Sequence, residues 1–145
     1  MKRTKALVAG LASTFILACT TDDQRTVVVL ADTAVQLGVD PTLFRPEAPL
    51  PSADDVNGVC VTPPAGDTLN DNWTLPGVNR EAVKLRAEAV LMDQSVVELP
   101  STAWMGELCL EPARQGPLAG GVREVRIWAS GPIVARRITW ISTHK

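Results

Sequence analysis

The chain has no tyrosine, two phenylalanines and a single histidine among its 145 residues. That histidine, His144, is the penultimate residue, a place where chains usually fray. Histidine-dependent acid–base chemistry and histidine-rich metal sites therefore have little to build on. Serine and threonine are plentiful, but no G-x-S-x-G occurs and no base is placed to serve them. None of the three cysteines forms a CxxC, so the usual redox and zinc spacings are missing. No basic run exceeds Arg136-Arg137, whereas a nucleic-acid binder needs a basic patch, so nucleic acid is excluded as a partner. The apolar run of residues 6–18 is too short for a bilayer span, which takes about 20 residues.

What is present begins at the N-terminus. Lys2, Arg3 and Lys5 precede that apolar run, which ends in a small residue, the layout of a secretory signal. Ile16-Leu17-Ala18-Cys19 resembles the lipobox of bacterial lipoprotein precursors: branched aliphatic residues, a small residue, then cysteine. The resemblance implies that residues 1–18 are removed and that Cys19 becomes an acylated N-terminus. Each buried CH₂ contributes roughly 0.8 kcal/mol, so several acyl chains anchor where one would not. In that family an Asp directly after the cysteine commonly retains the product at the inner membrane. Here Thr20 and Thr21 follow, with Asp22 and Asp23 later, which implies the periplasmic face of the outer membrane. The competing reading is a buried N-terminal helix with an incidental cysteine.

The 127 residues that follow Ala18 are one domain's worth. They carry all 16 acidic side chains and 11 of the 14 basic ones, a net charge of −5 with His144 neutral. If Cys19 carries lipid, Cys60 and Cys109 remain as an even pair in an oxidising compartment, and they read as a structural disulfide.

Residues 19–55 read as a lipid-anchored, proline-rich tether with one ordered patch, the run Val27-Val28-Val29-Leu30. Pro41, Pro46, Pro49 and Pro51 fix φ and push their predecessors to extended geometry. The stretch is either a spacer or a loop laid across the domain. Residues 56–145 read as the domain proper, mainly β, an antiparallel β-sandwich or small jelly roll. Val59-Cys60-Val61 suits a strand, and Pro63-Pro64-Ala65-Gly66-Asp67 a turn. Residues 81–92 fit either a helix capped by Asn79 or a strand. The strand is favoured because Val83, Leu85, Ala87, Ala89 and Leu91 alternate with Lys84, Arg86 and Glu88. A returning strand follows at 95–99, and another at 106–111 with Leu108 and Leu110 on one side. In 122–129, Val125, Ile127 and Ala129 face away from Glu124, Arg126 and Trp128. After the turn Ser130-Gly131-Pro132, the alternation of 133–141 slips at Arg136-Arg137, where a β-bulge would restore its phase.

Chemistry-bearing clusters are sparse, and no catalytic, metal or cofactor residues are assigned. Asp22-Asp23 and Asp54-Asp55 read as solvated charge. Asp67-Thr68-Leu69-Asn70-Asp71 lacks the glycine and closing Glu of an EF-hand. Asn72-Trp73-Thr74 matches a glycosylation sequon, an accident in a bacterial lipoprotein. Four tryptophans stand out: Trp73 and Trp104 in expected loops, Trp128 and Trp140 in expected strands. Trp140, between Ile138 and Ile141, reads as core, and Trp128 as partly exposed.

The expected function is a non-catalytic envelope lipoprotein that binds another envelope protein. The alternative is a carbohydrate- or peptidoglycan-binding module using Trp73, Trp104 or Trp128 as stacking platforms. An enzyme is the weakest reading; it needs a carboxylate pair that meets only in space. The anchor has its own check: metabolic lipid labelling should mark the native chain and be lost in Cys19→Ser. Label retained by the variant would sink the lipidation reading.

Overall fold

A computed structural model describes residues 24–53, 56–63, 75–78, 81–104, 107–113, 118 and 120–144. Its described elements are strands in succession. Three come early: β1 (Gln24–Ala31), β2 (Val35–Leu37) and β3 (Thr42–Phe44). The middle holds β4 (Val56–Thr62), β5 (Leu75–Pro76), β6 (Ala82–Val83), β7 (Leu85–Leu91) and β8 (Val96–Leu99). The last are β9 (Ser101–Trp104), β10 (Glu107–Leu110), β11 (Val122–Ala129), β12 (Ile133–Ala135) and β13 (Arg137–His144).

Two sheets make the sandwich, a five-stranded one ordered β1-β13-β4-β10-β9 and a four-stranded one ordered β3-β11-β7-β8. Small two-stranded pairs, β2 with β12 and β5 with β6, sit beside them. All pairings are antiparallel. This is the expected mainly β, antiparallel sandwich, and residues 81–92 take the strand reading. The reason is alternation: Val83, Leu85, Ala87, Ala89 and Leu91 are all buried, as are Val125, Ile127 and Ala129 of β11. Period-two apolar residues can bury one face of a sheet but not one face of a helix. From the other sheet Val59, Val61, Leu108, Leu110, Ile138 and Trp140 meet them in a single cluster.

The tether expected over 19–55, and a domain starting at 56, need correction. Residues 24–53 belong to the sandwich. β1 pairs with β13, β2 with β12 and β3 with β11. The prolines shorten strands here without detaching the chain, because a proline removes only its own ladder donor. Beyond β3 the chain is sewn down by polar contacts. Leu50 and Val122 exchange backbone hydrogen bonds of 2.7 and 3.1 Å. Gly121 beside them has φ +91°, and a Cβ there would lie 2.9 Å from the Leu50 carbonyl oxygen. The Trp140 indole N–H donates to the Pro51 carbonyl at 2.8 Å. Buried Asn57 accepts from the Ala53 N–H and donates to its carbonyl.

Two further expectations are settled at the C-terminus. The slip at Arg136-Arg137 falls between two strands of different sheets, with no register shift in the β13–β4 ladder: the Arg136 N–H donates to the Thr62 carbonyl, and Arg137 is Thr62's registered neighbour. There the chain leaves the small β2–β12 pair and enters the five-stranded sheet. His144 does not fray but ends β13, in register with Gln24.

Cys60 and Cys109 are joined by a disulfide between registered residues of β4 and β10, Cα atoms 4.0 Å apart. Since Val59 and Val61 face the core, the bond lies on the sheet's other side, buried with Ile141. It adds no new topology and locks the register of strands already adjacent. For a loop of 49 residues the chain-entropy model assigns about 4 kcal/mol. The double variant Cys60→Ala/Cys109→Ala should lose roughly 3–4 kcal/mol in urea unfolding, and the native protein should show no free thiol when unfolded without reductant.

Candidate functional site

The residues singled out in the sequence do not converge. Cys19 and Trp73 lie outside the described residues, as do Asp22-Asp23, Asp54-Asp55, the 67–71 acidic stretch and the sequon at 72–74. Trp104, expected in a loop, belongs to β9 and registers opposite Glu107, because β9 and β10 pair closely as a hairpin. Trp104 and Trp128 therefore stand in different sheets. Among the described residues, no three His, Cys, Asp or Glu side chains gather as a metal site would require. One open groove among the described residues, between Pro49, Pro51 and Gly121, has no ionisable lining, and another, beside Val39 and Pro132, has only Asp40.

The organised chemistry lies on the outer face of the four-stranded sheet. The alternation that buries Val125 and Ile127 turns Glu124, Arg126 and Trp128 the other way. Register places Trp128 beside Arg86 and Arg126 beside Glu88, and Glu88 beside Glu98 of β8. Two carboxylates directly opposite each other repel. Arg86 offsets that repulsion, with Nη2 3.0 Å from Glu88 Oε2 and Nε 3.6 Å from Glu98 Oε2. Its guanidinium carbon also lies 4.3 Å from the centroid of the Trp128 ring. A planar guanidinium over an indole gains cation–π attraction of about 0.5–1 kcal/mol where partly solvated.

Arg126 continues the chain of charges. Its Nη1 is 3.7 Å from Glu88 Oε1, and its Nε donates to Glu124. Glu124 also accepts from Nε of Arg45, which follows β3. Glu124 is only 5% exposed although it points outward. The Arg45 hydrogen bond, then that of Arg126, holds its carboxyl below the ordinary 4.5 against the opposing effect of burial. Three arginines and three glutamates thus form one continuous and locally neutral network.

Part of this face was visible in the sequence as alternating charge around Trp128. Arg45 was not, because it lies 79 positions from Glu124 and only the pairing of β3 with β11 brings it close. No known protein family, curated sequence or solved structure matches the chain.

A carboxyl whose native pKa is depressed stabilises the fold above its unfolded value and loses that contribution as pH falls through the native value. Glu124→Gln should therefore cost about 1 kcal/mol near pH 7, with Arg45 largely solvated. The gap to the native protein should close as pH drops from about 4.5 through the lowered value, as followed by urea unfolding at each pH.

Proposed function

We propose that the chain is a non-catalytic cell-envelope lipoprotein, acylated at Cys19 and held at the periplasmic face of the outer membrane. In this reading it binds another envelope protein through the outer face of the four-stranded sheet. The observation that carries the reading is the Arg86 guanidinium lying over Trp128, with its charge shared between Glu88 and Glu98. Tryptophan and arginine are the side chains that most often anchor protein interfaces. An arginine already paired and stacked loses little freedom when a partner docks. The network's neutrality favours a mixed-charge partner over a strongly charged one.

The glycan alternative draws on the same tryptophan. A sugar stacking on that side of the ring has to displace Arg86 and break its contacts with both glutamates, a cost that a protein surface laid over the whole face avoids. The protein partner is therefore preferred.

The test is photo-crosslinking in cells from a position beside Trp128, in the full-length chain. Trp128→Ala should weaken capture of a discrete envelope protein about 30-fold, the effect of losing a 2 kcal/mol anchor, with the fold intact by circular dichroism. A saturable tryptophan fluorescence change with peptidoglycan fragments, abolished by Trp128→Ala, would shift the assignment to the glycan module.

A further inference from the structure

The two sheets of the sandwich have four described edges, and they are not alike. β3 is three residues long and runs into Arg45-Pro46. β8 has four residues, including Glu98, and is followed by Pro100. β9 is also four residues long. Short strands, charge and proline are the means by which natural sheets avoid pairing edge to edge. β1 is the exception: eight residues, paired on one side with β13 and with no described strand on the other. Residues 26–31 hold no charge, proline or glycine. Its blunting devices are Arg25 at its start and a bulge between Val29 and Ala31. Ahead of that bulge, Val27 and Val29 stand 46% and 44% exposed, beside Ile141 and Thr139 of β13.

An open strand edge specifies its occupant more closely than an apolar patch does, since its alternating donors and acceptors fit another extended chain. We infer that the occupant is β1 of a second copy, so that two five-stranded sheets join into one. Symmetry fixes the register. A two-fold axis normal to the sheet keeps each residue on its own face in both copies. Opposed residues must share a face, so the axis has to pass through a residue and not between two. With the axis at Val28, Val27 lies opposite Val29 of the second copy, and the same contact occurs twice. Every exposed valine of the edge then meets another valine, and Thr26 lies opposite Leu30, where the bulge ends the pairing. An axis at Val27 would instead leave Val29 opposite Arg25. The assignment uses neither Trp128 nor the lipid anchor.

The experiment uses the full-length chain secreted under its own signal. Chains carrying Val27→Cys under one tag and Val29→Cys under another are co-expressed and run on a non-reducing gel. A mixed-tag dimer is expected at several times the yield of either same-tag dimer, because residues directly opposite come within about 5.5 Å at Cβ while the diagonal ones stay at about 7–8 Å. Light scattering on the detergent-solubilised native protein should give twice the monomer's protein mass. Val27→Lys/Val29→Lys should halve it, and Trp128→Ala should leave it unchanged. Absence of the mixed dimer together with a monomer mass at tens of micromolar overturns the inference. So does a crosslink from Val27→Cys only to another protein or to the same chain's own N-terminal segment.

Discussion

The fold turns on the indole of Trp140. Among the described residues it is the largest fully buried side chain, in the middle of β13 with β1 on one side and β4 on the other. An indole brings a large apolar surface and one N–H that has to be satisfied when water is excluded. The Pro51 carbonyl satisfies it. Proline has no donor of its own but keeps a carbonyl like any other residue, so a proline-rich stretch can still serve as an acceptor. That bond, with the Asn57 pair to Ala53 and the Leu50–Val122 exchange, fixes the path from β3 back to β4. Without a fixed path there, β3 would have no reason to lie along β11, and Arg45 could not reach Glu124.

The outer charged face depends on the same placement. Exposed ion pairs contribute little one at a time, because water screens them and holding two long side chains together costs entropy. A continuous row behaves differently: each arginine held by one glutamate is already oriented for the next. Glu124 is the fixed end, since its burial makes the negative charge tolerable only with Arg45 and Arg126 in place. The order then runs outward through Arg126, Glu88 and Arg86 to the Trp128 ring.

How much of this could be read beforehand depended on the range of the contact. The alternation in 83–91 and 122–129 is written in neighbouring residues, so strands, buried faces and the exposure of Trp128 were legible. The disulfide followed from counting cysteines once Cys19 was set aside. The early strands were lost behind the prolines, whose effect on their own backbone is strong and says nothing about what lies alongside. Trp104 was misplaced because nothing in Ser101-Thr102-Ala103-Trp104 alternates apolar with polar; its strand is made by pairing with β10. His144 was set aside as a chain end, yet Gln24 pairs with it from the other end of the sequence. Long-range pairing sets the first and the last of these, and a local hairpin with β10 sets Trp104.

The anchor, the edge and the charged face constrain one another. Four residues separate Cys19 from β1, a reach of at most about 18 Å, so an acylated Cys19 keeps the start of β1 close to the bilayer. In a dimer joined through β1 the two strands run in opposite directions, and their starts are separated along the pair by about 27 Å. Both anchors can share one membrane only if the two-fold axis stands along the membrane normal, which lays the sheets parallel to the bilayer. Under both proposals the anchors would leave from the five-stranded sheet, which would then be the layer nearer the lipid. The four-stranded sheet would form the far layer, with Trp128, Arg86 and their glutamates facing away from the membrane. The proposed dimer and the proposed anchor would together turn the proposed partner surface toward the compartment where an envelope protein would meet it.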